Sequence, residues 1–94
     1  TIVEPTVKGL QKENLDYTGF IFFGLMIDEN EPMVIEYNCR MGDPETEVVI
    51  PRLKNDLAEL LKATADQRLN EIVVDTDERT AVAVVAVSGG YPGD

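Results

Sequence analysis

An apolar run from Phe20 to Ile27, broken only by Gly24, constrains the fold of this chain more than any other feature. It is too short for most helices and rich in aromatic residues and isoleucine, so it reads as a buried strand. Asp28-Glu29-Asn30-Glu31 is a polar turn, and Pro32 to Asn38 returns as a second strand that opens on apolar, β-prone residues. The pair predicts an antiparallel hairpin with a four- to five-residue loop.

Helical patterns flank this hairpin. Residues 4–14 read as a short amphipathic helix, with Pro5 at its first position, Val3, Val7 and Leu10 on one face and Lys8, Gln11 and Lys12 on the other. Asn14 and the cluster Asp16-Tyr17-Thr18-Gly19 end it. After the hairpin, Gly42-Asp43-Pro44 turns into a helix, with Asp43 as N-cap and Pro44 at the first helical position. Pro51 kinks or ends that helix about two turns later. Asn55-Asp56 restarts it, and Leu57, Leu60, Leu61 and Ala65 form an apolar stripe to about Asp66. Residues 67–79 are polar apart from a β-prone patch at Ile72-Val73-Val74. Thr80 to Val87 is a second continuous apolar run and predicts a strand buried on both faces. Ser88 to Gly93 is a turning loop. The fold class is therefore α+β, with a candidate boundary where composition shifts near residues 66–71.

The totals limit the functions on offer. Ninety-four residues make one small domain or pieces of two. The start at Thr1 and the turn-like end at Tyr91-Pro92-Gly93-Asp94 lead us to expect an excised piece of a longer protein, with apolar surface meant for absent segments. A net charge of −10 argues against non-specific binding to nucleic acid or anionic membrane, which both need Lys and Arg. The single cysteine, Cys39, forms no internal disulfide and fits a reducing cytosol. There is no Cys/His cluster for zinc, no secretory leader pattern, and no apolar run near the ~18 residues of a membrane span.

The chemistry concentrates where the second strand ends. Side chains alternate along a strand, so Glu36, Asn38 and Arg40 would line one face. Two hard oxygen ligands beside a permanent cation suit a site that handles Mg²⁺ and phosphate together. A polar pair on a strand is also what a solvent-facing edge presents. Here the run continues to a helix N-terminus capped by Asp43, a place that favours anions. Arg40 would neutralise an anionic substrate or a developing phosphate charge, or else pair with one of the many carboxylates. Glu45 and Glu47 complement the helix dipole. Cys39 alternates to the opposite face and reads as a small core residue. Ser88-Gly89-Gly90 lacks the lysine and the strand-to-helix setting of a phosphate loop, so we read it as a turn.

Glu36-Tyr37-Asn38-Cys39-Arg40 followed by Met41-Gly42-Asp43-Pro44-Glu45-Thr46-Glu47 resembles the metal-binding strand and following loop of the ATP-grasp ligases. Within them it resembles the phosphoribosylamine–glycine ligase family, the Gly-Asp-Pro-Glu run being the narrowing feature. Val3-Glu4-Pro5-Thr6, the strand from Gly19 to Gly24, Leu53-Lys54-Asn55-Asp56-Leu57 and Ser88-Gly89-Gly90-Tyr91-Pro92-Gly93 look like the same family in the same order.

The resemblance implies that residues 1–66 are the C-terminal part of an ATP-grasp domain, an antiparallel sheet covered by helices. Residues 67–94 would begin a small β-rich C-terminal domain. It implies Mg²⁺ or Mn²⁺ on Glu36 and Asn38, ATP as co-substrate, and glycine and 5-phosphoribosylamine as substrates. Arg40 would serve the acyl-phosphate step, and Gly42, Asp43 and Pro44 would wall the substrate, although helix capping alone produces the same three residues. This chemistry needs no protein nucleophile, consistent with the absence of histidine. The family's glycine-rich lid, nucleotide-clamping lysines and glycine-binding residues are not in this chain. The expectation is a cytoplasmic parent enzyme and an inactive isolated piece that depends on the remainder of the parent chain. Another ATP-grasp ligase, or a non-catalytic acidic α+β interaction module, are the alternatives.

Overall fold

A computed structural model of the chain describes residues 1–93. The fold is α+β: helix α1 (Val3–Lys12), strands β1 (Phe22–Asp28) and β2 (Glu31–Asn38), helix α2 (Thr46–Val49) running into a 3₁₀ turn (Ile50–Arg52), helix α3 (Leu57–Ala65) and a 3₁₀ turn (Leu69–Glu71). β1 and β2 form a two-stranded antiparallel sheet.

Local chemistry sets the helix ends. α1 begins at Val3, so Pro5 is its third residue rather than its first. It still lies in the first turn, where an N–H has no intrahelical acceptor to lose. At the other end Asn14 turns left-handed at φ 53°, and Leu15 N–H donates to Leu10 C=O at 2.9 Å. α3 ends the same way, with Gln67 at φ 57° and Arg68 N–H donating to Ala63 C=O at 2.8 Å. Both are Schellman closures that satisfy otherwise orphaned carbonyls. As expected, Asp56 caps α3: its Oδ1 accepts from Ala58 N–H at 2.7 Å and Glu59 N–H at 3.2 Å.

The hairpin is tighter than its sequence suggests. Asp28 pairs with Glu31, so the loop is two residues rather than four or five. Glu29 and Asn30 take φ 47° and 71°, the left-handed pair of a type I′ turn whose twist matches that of the strands. Phe22, Phe23 and Gly24 pair with Asn38, Tyr37 and Glu36, whereas Leu25 pairs with Val34. Ile35 is therefore the extra residue of a β-bulge. Phe23 and Tyr37 pack edge to face with ring centroids 5.3 Å apart.

Three sequence expectations fail here. Asp43 does not cap α2 and Pro44 is not its first residue. The helix starts at Thr46, after a turn over 43–45 that contains a cis Asp43–Pro44 bond, because Thr46 spends both its N–H (3.0 Å) and its hydroxyl (2.5 Å) on the Gly42 carbonyl. Thr80–Val87 forms no strand, and Val82 and Val84 are 81% and 90% exposed. No strand among the described residues pairs with it, and an apolar pattern cannot supply its own ladder. Nor is β1 the buried strand its apolar run predicts, since Leu25, Met26 and Ile27 are exposed.

Packing centres on α3. Leu60 (8% exposed) and Ala63 (3%) are the buried hydrophobic residues among those described. Leu60 faces a crevice of about 190 Å³ bordered by Phe20, Met41, Ile50, Leu53 and Val74. The segment beyond α3 is tied back to the turn before it. Asn55 Nδ2 donates to Val73 C=O (3.1 Å), Asp75 N–H donates to Asn55 Oδ1 (2.6 Å), and Leu53 bridges Thr76.

The chain exposes 7997 Å², whereas a folded monomer of its 10.4 kDa would expose about 5,400 Å². Its radius of gyration is 16.3 Å, against about 12 Å for a compact domain of this length. Much apolar surface therefore has no partner among the described residues.

Candidate functional site

β2 presents Glu36 and Asn38 on one face, because residues two apart in a strand point the same way. Directly opposite residues share a face, so Gly24 and Phe22 of β1 lie beside them. The Phe22 ring in turn packs on Gly42: a Cβ at Gly42 would stand 2.7 Å from Phe22 Cε2 and would also meet the Glu45 carboxylate. Gly42 is buried, and only a bare backbone fits between that ring and that side chain. The turn after β2 thus folds onto the sheet face that carries Glu36 and Asn38.

Asn38 holds the buried side-chain polar atom that lacks a hydrogen-bond partner among the described residues, its amide Nδ2. Half a turn of the amide exchanges oxygen for nitrogen at that place, so one buried amide end still wants a ligand. Glu36 is exposed. A carboxylate oxygen and an amide oxygen fit a small hard cation that keeps waters and takes its remaining ligands from phosphate. They do not make a closed protein cage. Among the described residues no group of three or more His, Cys, Asp or Glu side chains is placed to hold a metal.

Arg40 departs from the expected alternation. β2 ends at Asn38, so Arg40 lies in the bend beyond it rather than on the strand face. Its Nη1 donates to Met41 C=O at 2.9 Å, and it makes no ion pair among the described residues. It borders a small cavity of about 140 Å³ with Phe20, Phe22, Gly42 and Glu45. The structure thus keeps Arg40 beside Gly42, without an ion-pair partner among the described residues. Asp43 and Pro44 are exposed and border none of this cavity.

The helix N-terminus contributes less than the sequence suggests. α2 has four residues, with Glu45 at its N-cap and Glu47 in its first turn. A helix so short has little dipole, and those carboxylates already sit where an anion would go. Cys39 is exposed rather than part of the core. The strand has ended one residue earlier, and Cys39 opens onto a groove of about 520 Å³ between α1 and the sheet, bordered also by Leu10, Leu15, Tyr17 and Tyr37. Tyr17 Oη donates to Phe20 C=O at 2.7 Å and reaches Cys39 C=O at 3.4 Å. The phenol is pushed above its ordinary pKa by desolvation, with Cys39 adding to the shift.

Sequence reasoning missed two supporting residues. Gly24 lies directly opposite Glu36, and Phe22 carries Gly42. The available signal was the glycine itself, since a glycine inside a strand pattern marks a bulge or a close approach.

Comparison with known proteins bears on the whole chain. Residues 1–46 match the family model described as phosphoribosylglycinamide synthetase, ATP-grasp (A) domain. A protein of Escherichia coli (strain K12) named phosphoribosylamine–glycine ligase is 51% identical over 94 residues, covering 99% of this chain and 22% of the relative. Proteins of the same name from Allochromatium vinosum and Vibrio cholerae are 50% and 48% identical, again covering 99% of this chain and 22% of each relative. The chain thus spans about a fifth of the length of these curated relatives.

Proposed function

We propose, from the premise that this chain belongs to the phosphoribosylamine–glycine ligase family, that it carries the metal-holding strand of an ATP-dependent carboxylate–amine ligase. In the parent protein ATP phosphorylates the carboxylate of glycine, giving glycyl phosphate and ADP. The amine of 5-phosphoribosylamine then attacks the acyl carbon, and phosphate leaves. The observation that carries this reading is the pair Glu36 and Asn38 on one sheet face, with a buried amide end unsatisfied and Arg40, just beyond the strand, without an ion pair among the described residues.

Each residue has a role. Glu36 and Asn38 hold Mg²⁺ or Mn²⁺, which when bound neutralises the nucleotide phosphates. Arg40 offsets charge on the acyl phosphate, from a position that leaves most of its guanidinium donors free. Gly42, pinned between Phe22 and Glu45, fixes the turn that carries Asp43 and Pro44 toward the substrate. Catalysis on these terms is positioning plus charge neutralisation.

We divide the chain into residues 1–66, belonging to the ATP-grasp domain, and residues 67–94, opening the C-terminal domain. The apolar run 80–87 would become a strand on contact with the remainder of the parent chain, and the large exposed surface supports that dependence. The isolated chain is accordingly inactive. The work is cytoplasmic, without nucleic-acid or membrane partners. A net charge of −10 argues against non-specific nucleic-acid or anionic-membrane binding, and among the described residues no helix is long and apolar enough to cross a membrane.

The test is Glu36→Ala in the full-length protein, with ADP release measured from ATP, glycine and 5-phosphoribosylamine alongside Mn²⁺ binding. Loss of both supports the ligase reading. Wild-type Mn²⁺ affinity in the variant would favour an acidic interaction module whose strand carboxylate is merely solvated.

A further inference from the structure

We infer that Gly24 is a positioning residue for the Glu36 carboxylate, an inference that rests on the reading of Glu36 as a ligand. The two residues face each other across the hairpin. A Cβ at position 24 would stand 2.8 Å from Glu36 Cγ and 3.6 Å from its Cδ and Oε1. Real Cβ atoms do not approach so closely, and something has to move.

What moves matters. Cγ is the first atom beyond Cβ, so its place is set by χ1 alone. Clearing the contact takes a rotation about χ1, by about 30° out of its well or about 120° to the next one, and either swings the carboxylate off its present line. A clash with the far end of the chain would cost only a small adjustment. This one redirects the whole side chain.

Backbone conformation does not explain the glycine. The glycines with positive φ are Gly19 and Gly90, and Gly24 is not among them. Glycine is also a poor strand residue. Crowding is not general either, because a Cβ at Gly9 or Gly89 would meet nothing within 4 Å. The bulge at Ile35 adjoins the same pair, and bulges re-aim the side chains next to them. Missing side chain and extra residue act together on the direction of Glu36.

The experiment is a double-mutant cycle in the full-length protein: wild type, Gly24→Ala, Glu36→Ala and the double variant. Mn²⁺ binding in the presence of ADP is followed by the EPR signal of free Mn²⁺. Gly24→Ala is expected to weaken Mn²⁺ binding about 10- to 100-fold, as loss of a supporting contact to a metal ligand does. In the Glu36→Ala background the same change is expected to do nothing further. An equal loss in both backgrounds, or none in the first, overturns the inference. If Glu36→Ala alone leaves Mn²⁺ binding intact, the ligand reading falls and Gly24 falls with it. Should Gly24→Ala alone fail to fold, the double variant decides by its melting temperature. Wild-type stability there locates the conflict at Glu36, and equal failure overturns the idea.

Discussion

Asn55 holds the segment after α3 to the turn before it, and removing its amide should open that junction by a measurable amount. Asn55 Nδ2 donates to Val73 C=O at 3.1 Å, and Asn55 Oδ1 accepts from Asp75 N–H at 2.6 Å. Each such bond contributes about 1 kcal/mol net. Asn55 is partly exposed, so water replaces some of that, and we expect Asn55→Ala to cost the junction about 1–2 kcal/mol. Other ties remain: Lys54 N–H donates to Asp75 C=O at 3.0 Å, and Asp77 N–H donates to Arg52 C=O at 2.7 Å. The segment should therefore open locally without unfolding α3. Amide hydrogen exchange reads this directly: Asp75 should exchange about 5- to 30-fold faster, while Leu60 and Ala63 in α3 keep their rates. Asn55→Asp, which retains the acceptor and loses the donor, should give a smaller effect. Unchanged exchange at Asp75 in Asn55→Ala would refute the clamp, and equal acceleration throughout α3 would show that the two parts open as one unit.

Two further predictions address packing and pH. Leu60→Ala should destabilise the chain by about 2–3 kcal/mol, at the low end for a leucine truncation because a crevice already adjoins the site, with urea unfolding as the measure. The Asp77 carboxyl should titrate at about 2, held down by its hydrogen bonds from Arg79, with the Lys54 and Arg52 charges adding a smaller share. Its folded pKa lies below the unfolded one, so its stabilisation is present above about pH 4 and is lost as pH falls toward 2. Arg79→Ala should return the midpoint toward 3.8, as followed by carboxyl NMR shifts.

The elements most legible in the sequence were those whose cause is local. The hairpin follows from two β-prone runs around a polar turn, and α3 follows from Asp56 and the spacing of Leu57 and Leu60. The loop length was not legible, because Glu29-Asn30 lacks the glycine that usually marks a two-residue turn. α2 was misplaced because Asp43-Pro44 has the composition of a helix start, while the competing choice, Thr46 binding the Gly42 carbonyl, is a matter of geometry. Thr80–Val87 shows a different limit. Its pattern records burial on two faces, but a strand needs a neighbour, and none is among the described residues. That Glu36 and Asn38 share a strand face was readable from alternation. Arg40 was not, since alternation stops where the strand does.

The extra residue at Ile35 divides one hairpin into two registers. On the turn side, the residues from Leu25 to Val34 take their pairing from the two-residue loop. On the other side, the Gly24–Glu36 and Phe22–Asn38 pairings are anchored by the Phe23–Tyr37 contact and by Gly42 against Phe22. A one-residue insertion or deletion in the tip therefore has somewhere to be absorbed before it inverts the face of Glu36. A change in the length of the tip can be taken up at the bulge, while the segment that carries Glu36 and Asn38 keeps its own alignment.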